Sequence, residues 1–446
     1  TDGVNIASEI STFSLTFGAD WASATESKIV ASDAQATDRF GYSVSISSGG
    51  NYAIAGAPQE DGGVGDPLSA AGAAYVFVRS GSTWTQQAKI TASDTGLGDQ
   101  FGQSVSINQD GTYAIVGAQT EAGGAGDPLS AAGAAYIFTR SGSTWTQQAK
   151  LTASDAQASD RFGYSVSMSS DGSYVIIGAQ LEDGGVGNPI STAGAAYVFS
   201  RSGSTWTEQA KITASDAQAS DYFGISLTMS SDGTYAIVGA HREDGGAGNP
   251  TSDAGAAYVY VRSGSTWTEQ AKITASDAQA SDLFGYSVSM SSDASYAIVG
   301  AYNEDGGVGD PISDAGAAYI FTRSGSTWTE QAILRASDAQ ASDNFGRAVS
   351  MNSDATYVII SAHNEDGGAG DPIDRPGAAY IFERSGSTWT QVRKLTASDA
   401  QATDQFSISA SISGDGSYAI VGAWGEDGGA GDPISETGAA YIYEAG

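Results

Sequence analysis

Side chains suited to ligand binding follow two short motifs, Gly-Ala and Phe-Gly, that recur along the whole chain. The surrounding residues change little from copy to copy, whereas these positions hold aromatic, amide, His and Arg side chains, which bind sugars and protein surfaces. Variable loop residues on a constant scaffold are where recognition usually resides. The predicted ligand-binding set is Tyr42, His241, Arg242, Tyr302, Arg347, His363 and Trp424. The alternative interpretation is drift at exposed positions that packing does not constrain.

Calcium binding is a second candidate chemistry, because acidic loops of the form Glu-Asp-Gly-Gly-x-Gly-Asp-Pro recur between strand-like segments. Ca²⁺ takes about six to eight oxygen ligands, which carboxylates and free carbonyl groups could supply. The candidate ligands are Glu304, Asp305, Asp310, Glu426, Asp427 and Asp432. Gly, Asp and Pro also build turns without any ion. The sequence favours this second interpretation, so no cofactor is predicted and calcium stays an alternative.

The elements that would position these residues repeat every 61 residues, seven times. The Phe of the recurrent motif stands at Phe40, Phe101, Phe162, Phe223, Phe284, Phe345 and Phe406. One repeat contains four segments with the period-2 alternation and the β-branched and aromatic residues of strands, at 40–47, 52–57, 73–79 and 84–91. Four antiparallel strands repeated seven times predict an all-β, seven-bladed β-propeller. An open solenoid is the alternative, but it would need polar capping repeats that the sequence lacks.

The two ends of the chain predict how the ring closes. The last repeat stops after its third strand, and residues 21–30 carry the Trp and Lys of a fourth strand. We therefore expect the N-terminal segment to supply the outer strand of the last blade, which makes residues 20–446 one propeller and residues 1–19 an extension. Strand order then places the inter-blade loops and the loops between the second and third strands on one rim, here called the long-loop face. Of the 51 acidic residues, 36 fall in those loops.

Composition excludes several classes of partner. The formal net charge is −32, and Cys is absent. Nucleic acid is excluded because phosphate binding needs clustered Lys and Arg, and no apolar run is long enough to insert into a membrane. We interpret the acidity as a solvated surface, with cation binding as the alternative. The sequence begins without Met, so we expect a processed product or part of a larger protein.

Catalysis has little support in the sequence. There is no Cys nucleophile and no metal triad, and the two His residues, His241 and His363, stand at equivalent positions two repeats apart. The prediction is therefore a protein that is not an enzyme. A glycan-active hydrolase is the alternative; it would need two suitably placed carboxylates, and the long-loop face has so many that their presence does not favour it.

The Phe40-Gly41 start and the Gly56-Ala57-Pro58 end of a repeat resemble the FG-GAP repeat of integrin α-subunits and of bacterial and environmental surface proteins. Two departures are Ser407 after Phe406 and a turn at 169–173 that is too short for the calcium loop of the integrin type. The resemblance implies an extracellular, cell-surface or virion-surface adhesion module that binds glycan or protein through the long-loop face. The alternative is a structural subunit of a filament or fibre that self-associates through residues 10–17 by strand addition.

Overall fold

The computed structural model describes residues 19–61, 68–122, 129–183, 190–244, 251–305, 312–366, 373–427 and 435–446. These residues form seven four-stranded antiparallel sheets arranged as the blades of a closed propeller. The one helix within these ranges is a 3₁₀ turn at Trp21–Ser23. No helix within them is long and apolar enough to cross a membrane. The predicted all-β, seven-bladed fold is confirmed; the extension, including residues 10–17, lies outside the described ranges except for Ala19.

The first strand of each blade lines a central channel and the fourth lies outermost. The first strands are β2 Ser43–Ile46, β6 Phe101–Ile107, β10 Phe162–Met168, β14 Leu227–Met229, β18 Ser287–Met290, β22 Phe345–Met351 and β26 Phe406–Ile412. The second strands are β3 Tyr52–Ala57, β7 Tyr113–Ala118, β11 Tyr174–Ala179, β15 Tyr235–Ala240, β19 Tyr296–Ala301, β23 Tyr357–Ala362 and β27 Tyr418–Ala423. The third strands are β4 Ala73–Ser80, β8 Ala134–Ser141, β12 Ala195–Ser202, β16 Ala256–Ser263, β20 Ala317–Ser324, β24 Ala378–Ser385 and β28 Ala439–Glu444. The outer strands are β5 Thr83–Ile90, β9 Thr144–Leu151, β13 Thr205–Ile212, β17 Thr266–Ile273, β21 Thr327–Leu334, β25 Thr388–Leu395 and β1 Thr25–Ile29.

The N-terminal strand β1 closes the ring, as predicted. It pairs antiparallel with β28, with Lys28 opposite Tyr441, the same register that places Lys89 opposite Tyr75 in the first blade. Trp21 precedes the strand in the 3₁₀ turn rather than within it. Its ring nevertheless packs edge-on against Tyr357 of the preceding blade at 6.5 Å, matching the contact of Trp84 with Tyr418.

A second closure lies at the opposite rim, here called the short-turn face. The turn between the first and second strands of each blade donates a backbone N–H to the carbonyl of the same turn in the next blade, beginning with Ser48 to Gln109 at 3.3 Å. The chain of bonds continues through every blade and returns from Asp415 N–H to Ser48 O at 3.1 Å. Seven backbone hydrogen bonds therefore encircle the channel, and they satisfy turn groups that would otherwise be unpaired.

The hydrophobic core is divided into seven clusters, each shared by two adjacent blades. Phe40 is fully buried and packs edge-on against Tyr75 at 5.5 Å and Phe77 at 5.9 Å. Gly41 has a φ of +85°, and a Cβ there would lie 2.2 Å from the Ala439 carbonyl oxygen of the last blade. The Phe-Gly motif is therefore a packing device: an aromatic ring fills the interface and the glycine allows the neighbouring backbone to approach.

A buried polar network also recurs at the outer part of every blade interface. In the fourth blade Lys272 Nζ lies 2.8 Å from both Asp216 and Glu243, and the Tyr258 hydroxyl donates to Asp216 at 2.7 Å. Burial lowers the Lys272 pKa, but hydrogen bonds to the two carboxylates raise it more, so the net shift is upward. The same contacts are made by Lys28, Lys89, Lys150, Lys211, Arg335 and Lys394.

This network shows that part of the acidity is not on a solvated surface. Among the described residues, seven Glu and seven Asp of the 51 acidic residues in the sequence are buried. The Glu residues pair with the cations of the network, and the Asp residues cap loop backbone, as when Gln35 N–H donates to Asp38 at 2.6 Å. Buried charges are tolerated where they are paired and hydrogen-bonded.

Candidate functional site

The residue after each Phe-Gly pair points into the long-loop mouth of the channel. A cavity of about 160 Å³ is lined by Tyr42, Gln103, Tyr164, Tyr286, Arg347 and Ile408. These positions differ among blades, although the first strands that carry them share the same alternation. Gln103 lies with its Nε2 3.4 Å from the Tyr42 hydroxyl.

Four rings from blades 4 and 5 form a continuous group, here called the aromatic cluster: Tyr222, His241, Tyr286 and Tyr302. The His241 ring lies 5.5 Å from Tyr222 and 5.3 Å from Tyr286, and Tyr286 lies 4.6 Å from Tyr302. All three contacts are edge-on or tilted, the arrangement aromatic quadrupoles prefer. Tyr222, Tyr286 and Tyr302 are only partly buried, so the cluster presents ring surface to solvent.

Two arginines border the aromatic cluster. The Arg347 guanidinium lies 4.2 Å from the Tyr286 ring centroid, and that of Arg242 lies 5.2 Å from the Tyr222 centroid. Both distances are within the range of cation–π attraction. The cluster therefore combines stacking surface with two cations, in a chain whose overall charge is strongly negative.

The two histidines are neutral in this setting. Burial, together with Arg242 and Arg347, lowers the pKa of His241 to about 3. Burial, together with Arg347 and Arg375, lowers the pKa of His363 to about 3. The buried Nδ1 atom of each ring has no hydrogen-bond partner. Neither side chain is therefore set up as a general base near neutral pH, which would require a pKa close to the working pH.

The structure brings together part of the predicted ligand-binding set. His241, Arg242, Tyr302 and Arg347 meet at the aromatic cluster, and Tyr42 lines the same channel mouth. Trp424 lies apart from them and stacks under Arg39, with the guanidinium 4.3 Å from its ring. His363 makes no ring contact with the aromatic cluster in the described parts of the chain. These placements leave the prediction of binding itself untested.

The predicted ligand-binding set contains none of the residues that directly precede the Phe of each repeat. This position holds Arg39, Gln100, Arg161, Tyr222, Leu283, Asn344 and Gln405, all in the left-handed φ region. These side chains reach one of the two variable residues that follow the second strand: Gln119, the first of them in its blade, donates to Gln100 at 2.9 Å, and Asn364, the second in its blade, donates to Asn344 at 2.7 Å. Strained backbone clusters at functional sites. The residue type at this position varies between repeats that are otherwise similar, and this variation could have identified the position from the sequence.

The candidate calcium ligands occupy mixed positions. Glu304 pairs with Arg335 at 3.0 Å, and Glu426 pairs with Lys28 at 2.9 Å, so both carboxylates already hold a cation. Asp305 and Asp427 each accept a loop backbone N–H, at 2.8 Å and 2.7 Å. Asp310 and Asp432 lie outside the described residues. Across the described ranges no group of three or more His, Asp or Glu side chains could hold a metal ion; calcium binding stays an untested prediction.

The short-turn mouth of the channel has the opposite character. A cavity of about 940 Å³ there is lined by Asp110, Asp171, Asp232 and Asp415 among Ser, Asn, Gln and Gly residues. Each carboxylate accepts local hydrogen bonds, such as that from Ser173 N–H to Asp171 at 2.9 Å. Desolvation raises the Asp171 pKa, but the hydrogen bonds from Ser173 and Ser169 lower it more. These aspartates therefore stabilise turns.

The sequence of each blade matches the profile of the FG-GAP repeat. The seven matches cover residues 24–77, 84–138, 145–199, 206–260, 267–321, 328–382 and 389–443. The chain belongs to the FG-GAP repeat family. Its four-stranded blades and Phe-Gly interfaces are those of this family's propeller, and an FG-GAP propeller is in general a protein-interaction module rather than a catalyst.

Comparison with known proteins adds the fold alone. No curated protein matches the chain. Among solved structures, a chain from a crystal structure of a mitotic checkpoint complex is similar to this FG-GAP protein, with a TM-score of 0.54 and 10% identity over 100% of this chain and 97% of that chain. Because 874 chains of solved structures match, the propeller shape by itself selects no particular partner.

Proposed function

We propose that this FG-GAP propeller is a non-enzymatic recognition module on the surface of a cell or particle. It binds a protein or glycan through the long-loop face. The observation that carries this proposal is the aromatic cluster with its two bordering arginines. It occupies one sector of the face, and no other two adjacent blades carry this combination of side chains at the equivalent positions.

Packing gives no reason for that sector to differ from the others. The interfaces of blades 4 and 5 contain the buried Phe and the cation-centred network found in the other blades, with Lys272 as the cation in blade 4 and Arg335 in blade 5. Partly exposed Tyr rings and Arg side chains are the residues that dominate binding energy in interfaces. Tyr rings also stack on sugars, so glycan and protein ligands share the same features.

Binding of the purified protein to a glycan array and to a displayed peptide library tests the proposal. The expected result is selection of one ligand class by the wild-type chain, with loss of most of the signal in Tyr222→Ala and Tyr302→Ala. Ser204→Ala, an exposed change in a turn of the short-turn face, is the control and should bind like wild type. Equal signals from wild type and both Tyr variants would contradict a site at the aromatic cluster.

A further inference from the structure

The Arg347 guanidinium stands in the long-loop mouth of the channel without a counter-ion. Among the described residues it forms no ion pair or hydrogen bond, whereas Lys272 in the blade interface has two carboxylates at 2.8 Å. Arg347 is partly buried and lines the cavity of about 160 Å³. A partly desolvated guanidinium with no anion beside it is costly unless an anion from outside completes it.

The side chain is held in place by neighbouring phenol rings. Its guanidinium stacks on Tyr286 at 4.2 Å and lies 5.5 Å from the Tyr302 ring. Stacking uses the face of the guanidinium and leaves its N–H donors at the edge free.

Other polar groups of the mouth surround the same cavity. Tyr42, Tyr164 and Tyr286 contribute hydroxyl groups, and Gln103 contributes an amide. A hydroxyl or amide can donate a hydrogen bond to an anion without adding charge. The cavity would hold about five water molecules at the volume that each takes in the liquid, at roughly 30 Å³ apiece. A small planar group fits this space.

We propose that the mouth binds a carboxylate, with Arg347 as the cation and the hydroxyl groups of Tyr42 and Tyr164 as further donors. The guanidinium fork matches a carboxylate in a bidentate arrangement. One cation among neutral donors suits a monoanion, and the net charge of −32 opposes the approach of a multiply charged phosphate. The site lies within the long-loop face, so the inference rests on the proposed function and names the anchoring group of its ligand.

Two sources could supply that group, an acidic sugar or an acidic side chain of a polypeptide. The probes are therefore glucuronate and N-acetyl-aspartyl amide, with glucose and N-acetyl-asparaginyl amide as uncharged counterparts. Calorimetric titration at constant ionic strength measures each affinity. We expect at least one acidic probe to bind and its uncharged counterpart to have an affinity lower by about tenfold or more. A hydrogen bond to a charged group contributes enough free energy to change the affinity by that factor.

Arg347→Gln is the decisive variant. The second blade carries Gln103 at the equivalent position, so the fold accommodates this side chain. We expect the acidic probe to bind about tenfold more weakly or worse. Tyr164→Phe, which removes one hydroxyl, should lose affinity by a few-fold. Arg375→Gln removes an exposed arginine that pairs with Asp374 and should bind like wild type.

Three outcomes would overturn the inference: no binding of either acidic probe by the wild-type chain, equal binding of the uncharged counterparts, or undiminished binding by a folded Arg347→Gln protein. Circular dichroism of each variant establishes folding. The small acidic probes are measured separately from the glycan array and the peptide library. The protein can therefore fail to bind the probes and still bind a ligand of the array or library, or bind the probes and no such ligand, and the two results are distinguishable.

Discussion

The blade interfaces and the long-loop channel mouth obey opposite rules within one repeat. At the interfaces a cation that pairs with an Asp and a Glu, and the Tyr beside them, recur in all seven blades. Lys supplies the cation in six of them; in the fifth blade Ile333 occupies the Lys position, and Arg335, two residues further along, makes both contacts. At the mouth the equivalent positions hold Tyr, Gln, Ile and Arg. Repetition is enforced where two sheets must fit each other. Variation is permitted where a side chain faces solvent, and that is where a specific ligand can be selected.

Removal of a cation from the buried network of a blade interface should cause the largest loss of stability. Lys272→Met would leave the buried Glu243 without its partner, which costs about 3–5 kcal/mol for a buried pair. Lys272 itself is about a quarter exposed, so we expect the lower end of that range, about 3 kcal/mol. The measurement is the midpoint of denaturant unfolding.

Lys272→Ile combined with Thr274→Arg is the matched control, because it reproduces the next blade, where Ile333 lies opposite Tyr319 and Arg335, two residues further along, makes the same two contacts at 3.5 Å and 3.0 Å. This variant should unfold close to wild type. A Met variant as stable as this double variant would show that the network contributes little to stability.

A natural exception at the last interfaces offers the second test. In six blades the next-to-last residue of the second strand is a glycine. At one of them, Gly300, a Cβ would lie 2.0 Å from Gly346 O and 2.4 Å from Ser287 Oγ. The sixth blade has Ser361 at the position of this glycine and Ala348 at the position of Ser287. The seventh blade has Ser407 at the position of Gly346. Ser361 Oγ accepts a hydrogen bond from Ala348 N–H at 2.7 Å. The three changes compensate one another.

Gly300→Ser alone should therefore destabilise the protein by about 1–3 kcal/mol through overpacking. Addition of Ser287→Ala should recover part of this loss, because it removes one of the two clashes. The free energies of unfolding of both single variants and the double variant form a cycle that measures the coupling. Strict additivity of the two single effects would refute the compensation.

The buried Asp residues of the inter-blade loops predict a pH dependence. Burial raises the pKa of Asp38, Asp221, Asp282, Asp343 and Asp404 to about 7, and that of Asp160 to about 6. Between pH 3.8 and about 7 the folded chain keeps protons that the unfolded chain has released. Stability is therefore gained as pH falls through 7 and lost as pH rises through it.

Thermal unfolding at pH 7.5 and 6.5 measures this effect, with an expected gain at the lower pH on the order of 1 kcal/mol. His241 and His363 act in the opposite direction, but mainly below their unfolded pKa of 6.5. Asp282→Asn keeps an acceptor for Gln279 N–H and removes one titrating group, so its stability should depend less on pH. A wild-type protein that is less stable at pH 6.5 would contradict the assignment.

The mouth should show the smallest effect on stability. Tyr302 is partly exposed and its ring contacts Tyr286 and Arg347. Tyr302→Ala should cost only about 1 kcal/mol or less, as expected for a residue near the surface. Because the same change should abolish ligand binding, stability and binding would separate. A loss as large as that of Lys272→Met would mean that the aromatic cluster is a structural element.

The repeat period, the strands and the closure of the ring could be predicted from the sequence, because each depends on local alternation and on counting equal units. The predicted second strand, 52–57, agrees with the structure at both ends. The pairing of the recurrent Lys and Glu residues could not be predicted in the same way. Lys89 and Glu60 are 29 residues apart, and Asp33 belongs to a different blade unit, so only the folded ring shows that they meet.

The candidate site divides in the same way. Variation between copies identified His241, Arg242, Tyr302 and Arg347 as unusual, but it gave no distances. Tyr222 and Tyr286 complete the aromatic cluster by contacting His241, from 19 residues before it and 45 residues after it along the chain, so only the folded ring shows that the three rings meet.

The sequence by itself determined the architecture, since a unit that cannot bury both faces of its own sheet must repeat until the ring closes. The tertiary structure alone decided which charges are buried and paired, and that Arg347 lies in the long-loop mouth of the channel beside neutral side chains. Those properties depend on the distances between side chains of different blades, and burial and Coulomb attraction change steeply with such distances.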